Sequence, residues 1–165
     1  MPNKNTLFVG KVLVELPRLT STNLYAQELL SKSKPSEGTV ISTSDQYAGR
    51  GQIGSGWESE AHKNITLTFI FYPAFLPIRQ QFQLTQAISL GVKDCIEHFV
   101  PKNVKIKWPN DIYINDKKTC GILIQNTLSG AQISSSIIGI GININQTHFQ
   151  TNPPNPTSFK LEMEQ

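Results

Sequence analysis

The chain has 165 residues, 38% of them apolar and 16% charged, with a formal net charge of +3. That length supports one domain with its own hydrophobic core, and the balance of apolar and charged residues disfavours both a disordered chain and a membrane-embedded one. The lysines are scattered without forming a basic stripe, which argues against nucleic acid as a partner.

The longest apolar run, residues 65–72, is interrupted by threonine and is far too short to span a bilayer. Residues 1–6 lack the apolar segment and small-residue cleavage site of a secretory signal, so the expected location is the cytoplasm. Cys95 and Cys120 have no C-x-x-C partner and read as small buried apolar residues. His62, His98 and His148 have no metal-ligand spacing and read as surface or half-buried residues, so no structural metal is expected.

In chain order, residues 11–16 form a first predicted strand, ended by Pro17. Thr20-Ser21-Thr22-Asn23 supplies capping residues for a helix carrying Leu24, Glu28, Leu29 and Leu30. A capping turn also presents free N–H groups and hydroxyls, which suit a polar ligand. The helix stops near Pro35 and Gly38, and the branched residues of 39–44 predict a buried strand that delivers the chain into residues 46–57.

That segment, Gln46-Tyr-Ala-Gly-Arg-Gly-Gln-Ile-Gly-Ser-Gly-Trp57, holds four glycines. Glycine lets backbone bend or approach a ligand closely, and Arg50 between Gly49 and Gly51 offers a fork of donors suited to carboxylate or phosphate. Trp57 is a large apolar side chain that a purely solvated turn has no use for, so the segment reads as a loop that folds over a ligand. Gly49-x-Gly51-x-x-Gly54 satisfies the dinucleotide-binding expression, but a strand follows it where that fold needs a helix. A Rossmann unit is therefore rejected.

Residues 64–71 predict another strand, broken by Pro73 and Pro77. From Phe82 to Phe99 apolar residues, including Ala87, Gly91 and Cys95, recur at helical spacing and predict a long core helix ending before Pro101. Residues 104–108 alternate, with Lys105 and Lys107 on one face. Pro109-Asn110-Asp111 interrupts them, 112–114 resumes, and 118–125 and 131–142 are joined through Ser129-Gly130, which together make an antiparallel meander. Gly139 and Gly141 lie in the last strand as thin spots for close packing. A Pro/Asn-rich run occupies 151–157.

Ser21-Thr22-Asn23, Gly49-Arg-Gly-x-x-Gly-x-x-Trp57, Lys107-Trp-Pro-Asn-Asp111, Lys118-x-x-Gly-Ile-Leu123 and Gly139-x-Gly-Ile-Asn143 occur in that order. Together they resemble the catalytic core of the biotin–protein ligases, also called biotin–acetyl-CoA-carboxylase ligases, over about residues 10 to 160. The resemblance implies an α+β fold: a mixed, largely antiparallel sheet with helices on one side, related to class II aminoacyl-tRNA synthetases and shared by the biotin and lipoate ligases. It implies two steps, in which biotin and MgATP give biotinyl-5′-AMP and pyrophosphate, after which a lysine of a biotin carboxyl carrier domain takes the biotin.

By the same resemblance Arg50, Lys107 and Lys118 are the catalytic cations, with Arg50 and Lys118 on the biotin carboxylate and Lys107 on the triphosphate. Ser21, Thr22, Asn23 and Gln46 would face the ureido and thiophane end of biotin, with Gly51 and Gln52 beside it and Trp57 closing over it. Arg50, Lys107, Asn110 and Asn143 would bind ATP, and Asp111 would orient the incoming lysine or one of the enzyme's own cations.

Two departures stand out. Gln52 occupies a place where many members carry arginine, and the family usually continues past residues 157–161 with further helices and a small β-barrel. The expectation is a single catalytic domain over 1–165, shortened at its C-terminus, without the N-terminal DNA-binding domain of some members. A homodimer is one allowed assembly. Lipoate or octanoate ligases and transferases, and a non-catalytic biotin-binding module, are the rival readings.

Overall fold

The computed structural model describes residues 5–52, 54–150 and 155–164. Residues 1–4, Ile53, 151–154 and Gln165 lie outside that description, and with them one position of the glycine segment and most of the 151–157 run. Strand β1 (Leu13–Leu19) leads through α1 (Thr22–Lys32) to β2 (Thr39–Gln46). Two short strands follow, β3 (Gly49–Arg50) and β4 (Gly56–Trp57), then β5 (Ile65–Phe71), a 3₁₀ turn (Ile78–Gln80) and α2 (Gln81–Phe99). The remainder is β6 (Val104–Lys107), β7 (Asp111–Ile114), β8 (Lys117–Ser129), β9 (Gln132–Ile142) and α3 (Phe159–Met163).

Seven strands join one sheet in the order β1-β2-β5-β9-β8-β7-β6, while β3 and β4 pair only with each other. Only the β1–β2 pair is parallel, so the sheet is mixed and largely antiparallel, and β6 to β9 form the expected meander. Alternation along β5 explains how the sheet divides its two faces. Leu67, Phe69 and Phe71 join Ile138, Ile140, Cys120 and Ile122 in a core covered by Leu84, Ile88, Val92 and Ile96 of α2. Ile70 instead joins Ile41, Ile137 and Ala26 of α1 in a second core.

Side chains of opposite parity lie on opposite faces, so α1 and α2 cover the two sides of the sheet. The expectation of helices on one side is corrected in this detail. Each face of the central strands carries apolar residues that need cover, and one helix cannot reach both.

Three other expectations change. The first strand does not stop at Pro17 but runs on to Leu19, pairing Arg18 with Asp45. A sheet edge tolerates a residue without an N–H, and β1 is an edge. The helix 81–99 is less buried than its pattern suggested: Phe82, Ala87, Gly91 and Phe99 are exposed, because only one stripe of α2 meets the sheet. Cys95, on the open side, is likewise exposed, whereas Cys120 is fully buried as expected. Burial pushes the Cys120 thiol well above its ordinary range and leaves it inert as a nucleophile.

The end of the described chain is tied down by a buried carboxylate. Glu162 of α3 has no exposed surface. It accepts hydrogen bonds from Thr157 Oγ1 at 2.7 Å, Asn115 Nδ2 at 3.0 Å and Lys117 Nζ at 3.2 Å. Lys102 Nζ also donates to its backbone carbonyl.

Burial alone would raise the Glu162 pKa, but these donors and the Lys117 charge outweigh it and hold the carboxyl below the usual 4.5. A folded-state value below the unfolded one contributes stability that is complete above pH 4.5 and is lost as pH falls through the depressed value. Glu162→Gln should therefore flatten the acid limb of thermal stability measured between neutral pH and acid. An acid limb as steep as that of the unsubstituted chain would remove Glu162 from the account.

Candidate functional site

The face of the sheet beneath the N-terminus of α1 lacks side chains where a cavity opens. Gly121 of β8 is paired with Gly141 of β9, and Gly139 stands two residues further along the same face. A Cβ on Gly141 would lie 2.3 Å from the Trp57 indole, and one on Gly121 would lie 2.9 Å from it. A Cβ on Gly139 would meet Asn23 Oδ1 at 2.2 Å. The three glycines are thus the floor on which Trp57 and Asn23 rest, which gives the predicted thin spots their physical content.

Above that floor is a cavity of about 730 Å³. Of the expected site residues, Ser21, Thr22, Asn23, Gln46, Arg50, Gly51, Gln52, Trp57, Asn110 and Lys118 line it, together with Asp111. Lys107 and Asn143 do not.

The end over Gly139 is neutral and built on hydrogen bonds between side chains. Ser21 is the N-cap residue of α1 but its side chain makes no capping bond. The cap comes instead from Gln46 at the end of β2, whose Oε1 accepts from Thr22 N at 2.9 Å and lies 3.2 Å from Thr22 Oγ1. Thr68 Oγ1 lies 2.8 Å from Thr22 Oγ1 and 2.7 Å from Asn23 Oδ1. Asn23 Nδ2 donates to the Leu123 carbonyl at 3.3 Å and to Gln125 Oε1 at 3.0 Å. A backbone carbonyl only accepts, so Leu123 fixes which way the Asn23 amide faces.

Thr68 and Gln125 were missed by sequence reasoning. For Thr68 the signal existed: Thr66 and Thr68 are polar on the face of β5 opposite Leu67 and Phe69.

The end over Gly121 and Gly141 is aromatic and charged, with Arg50 and Lys118 beside Asp111 and Glu58. Lys118 Nζ pairs with Asp111 Oδ1 at 2.8 Å and lies 5.9 Å from the centre of the Trp57 ring. In a regular strand Lys118 and Gly121 would point to opposite faces, since they are three residues apart. A bulge at Thr119, where β7 pairs Tyr113 with Lys118 but Ile112 with Cys120, returns Lys118 to the glycine face. Of the chain's own cations, Lys118 is thus the one paired with Asp111. Arg50 lines the same cavity from the hairpin, largely exposed and without a side-chain ion pair or hydrogen bond to a described residue.

On either side of Ile53, which lies outside the described residues, the two limbs of the glycine segment pair as a short hairpin. Gly49 pairs with Trp57 and Arg50 with Gly56, and Gly51 N donates to Ser55 O at 3.0 Å. Its incoming limb is braced by Arg18, which pairs with Asp45 at 3.1 Å and stacks over the Tyr47 ring at 4.8 Å. Its outgoing limb is braced by the buried Gln146, whose amide bonds Glu58, Asn64, Glu60 N and the His148 carbonyl.

Lys107 sits on the same face and in the same cross-strand row, Lys107 opposite Asp111 opposite Gly121, but two strands out at the sheet edge. There it is exposed and donates to the Tyr113 hydroxyl at 3.2 Å. Asn110, in the turn between β6 and β7, ties that turn to β8 by donating to the Ile122 carbonyl at 2.5 Å. Asn143 faces a smaller cavity of about 50 Å³ shared with Lys118 and Trp57. Its Nδ2 donates to the Thr157 carbonyl at 3.0 Å, while its Oδ1 and Trp57 Nε1 are buried without a partner among the described residues.

Residues 15–143 match the Biotin/lipoate A/B protein ligase family. The chain belongs to that family. It is 38% identical over 141 residues to the bifunctional ligase/repressor BirA of Bacillus subtilis, covering 86% of this chain and 43% of that protein. It is 29% identical over 122 residues to the biotin–[acetyl-CoA-carboxylase] ligase of Mycobacterium tuberculosis, covering 71% of this chain and 43% of that one.

Among solved structures, the biotin protein ligase of Aquifex aeolicus in complex with biotin and ATP superposes with a TM-score of 0.73 at 29% identity, covering 93% of this chain and 62% of that one. The Leishmania major biotin protein ligase in complex with biotinyl-5-AMP superposes with a TM-score of 0.76 at 26% identity, covering 93% and 65%. The chain therefore spans less than half the length of these two sequence relatives. The class II synthetase-like fold expected for the family is the fold observed.

The seat of Trp57 is testable by its own fluorescence, because the other tryptophan, Trp108, is 76% exposed and provides a constant background. Gly141→Ala should push the indole off the floor and shift the emission to the red, with the far-ultraviolet dichroism retained. Unchanged emission would mean that the indole does not rest on Gly141.

Proposed function

We propose that the chain is the catalytic part of an ATP-dependent biotin–protein ligase. Biotin's carboxylate attacks the α-phosphorus of ATP, pyrophosphate leaves, and biotinyl-5′-AMP forms. A lysine amine of a biotin carboxyl carrier domain then attacks the acyl carbon, and AMP leaves. The observation that carries this reading is the polarity of one cavity, neutral over Gly139 and carrying Arg50 and Lys118 toward Gly121. The ligands named in the Aquifex and Leishmania complexes support it.

An uncharged bicyclic urea suits the neutral end, where Asn23, Thr22 and Gln46 offer donors and acceptors already fixed by one another. Preorganised dipoles of this kind need no rearrangement when ligand arrives. At the other end two anions that repel each other must be brought into contact. Arg50 and Lys118 offset that repulsion and stabilise charge growing on the α-phosphate, while Asp111 keeps the ammonium of Lys118 aimed. Biotin and the carrier each bring their own nucleophile, so no Ser/His/Asp triad is required.

Trp57, which rests on the glycine floor, would rise from it to cover the acyl-adenylate and exclude water, and with Gln52 in place of the usual arginine the burden of retaining it falls on Arg50 and Lys118. Asn143 meets the nucleotide through its open Oδ1, and Lys107, further out on the same row, meets the distal phosphates. Asn110 lines the intervening wall. Among the described residues no group of three His, Cys, Asp or Glu side chains can hold a metal. Mg2+ would accordingly arrive on the triphosphate, whose charge it would partly neutralise. The reading places the chain in the cytoplasm, with a carrier domain as acceptor and a homodimer as one allowed assembly.

Pyrophosphate exchange into ATP, run with biotin, lipoate and octanoate in turn, tests the reading. Exchange that depends on biotin is the expected result, exchange that depends on lipoate or octanoate replaces the substrate, and biotin binding without exchange reduces the chain to a binding module. Lys118→Ala should lower the rate roughly a hundredfold by removing a charge aimed at the transition state. Because the Lys118–Asp111 pair is partly solvated, the accompanying loss of stability should stay near ~1 kcal/mol. A stability loss large enough to explain the rate would recast Lys118 as structural.

A further inference from the structure

Residues 155–160 thread between Lys118 and Asn143, the residues proposed to meet the biotin carboxylate and the nucleotide. Lys118 N donates to Asn155 O at 2.7 Å, and Thr157 N donates to Lys118 O at 2.8 Å, so the segment adds a short parallel bridge beside the start of β8. Phe159 N then donates to the Asn143 carbonyl at 3.1 Å and Lys160 N to the Ile144 carbonyl at 2.9 Å.

Thr157 stands at the crossing. Its N–H holds Lys118, its carbonyl accepts from Asn143 Nδ2 at 3.0 Å, and its hydroxyl bonds Glu162 Oε1 at 2.7 Å. Because the Thr157 carbonyl can only accept, it fixes Nδ2 of Asn143 toward the strap and leaves Oδ1 as the face open to a ligand. That acceptor is buried and unpartnered, a state that costs free energy unless a donor reaches it.

We infer that Thr157 and the buried carboxylate of Glu162 are positioning residues for the nucleotide half of the site. The Glu162 carboxylate holds the Thr157 hydroxyl, Thr157 holds the amide of Asn143 with its oxygen outward, and Asn143 thereby presents an acceptor to a donor group of the nucleotide. Glu162 is itself anchored by Lys117 and Asn115 at the β7–β8 turn, so the lever starts from that hairpin. Neither residue lines the main cavity, and neither touches the neutral end that would receive biotin. The two substrates should therefore respond differently when the strap is loosened.

This inference rests on the proposed reading that Asn143 meets ATP, and the test separates the two. Thr157→Val keeps the shape and removes only the hydroxyl. In pyrophosphate exchange it should raise KM for ATP about five- to tenfold, the effect of one lost hydrogen bond, and leave KM for biotin within about twofold. Glu162→Gln retains an oxygen acceptor for Thr157 and should stay close to the unsubstituted chain, whereas Glu162→Leu should behave like Thr157→Val. If Glu162→Leu does not fold, Thr157→Val alone decides.

A parallel rise in both KM values, or an unchanged KM for ATP, overturns the inference. A readout independent of turnover is the side-chain amide signal of Asn143, assigned by its loss in Asn143→Asp. That signal should move in Thr157→Val and stay in place in Glu162→Gln. If the unsubstituted chain shows no exchange with biotin, the proposed reaction fails while the amide signal still tests the strap; if exchange is normal and the amide signal does not move, the strap fails alone.

Discussion

A cross-strand pair without side chains, Gly121 opposite Gly141, is the constraint on which the site is built. Sheets are normally shielded on both faces by side chains standing about perpendicular to the backbone, and here that shield is missing in one place. The gap allows an indole to lie directly on the strands, brings the β4 end of the glycine hairpin down to the sheet, and sets the depth of the cavity. One further glycine, Gly139, does the same for Asn23 and so sets the depth of the neutral end. The core on the other face keeps its Ile138 and Ile140, so the sheet is thin on one side and fully packed on the other.

Charge is distributed along this floor in a way that burial explains. At the neutral end Thr22, Asn23, Gln46 and Thr68 are all buried and bonded to one another, whereas an isolated charge in that position would carry a heavy desolvation penalty. Lys118 is tolerated because it is only partly covered and is matched by Asp111. Arg50 sits at the exposed rim on a hairpin, where a guanidinium without an ion pair among the described residues stays hydrated. The electrostatic gradient follows the depth gradient.

Two braces hold the limbs of the hairpin in register. Arg18 and Asp45 hold the limb that enters the hairpin, and Gln146 holds the limb that leaves it. Through Thr157 and Glu162 the chain's last described segment is stitched to Lys118 and Asn143 as well, so residues far apart in sequence share one rigid frame.

The sequence by itself determined a good deal. Period-two and period-3.6 patterning located the seven strands of the main sheet and the two longer helices to within a few residues, and the glycine, Lys-Trp-Pro-Asn-Asp and Gly-x-Gly-Ile-Asn segments pointed to a shared site. Patterning works there because it records which residues need burial, and motifs work because they record local backbone demands. What only the tertiary structure decided is everything that depends on pairing across long separations: the bulge at Thr119 that turns Lys118 onto the glycine face, the placing of α1 and α2 on opposite sides, the capping of α1 by Gln46 rather than by Ser21, and the position of Lys107 and Asn143 outside the main cavity. Those outcomes follow from register and from which neighbour reaches a donor first, and neither quantity is carried by any single stretch of the chain.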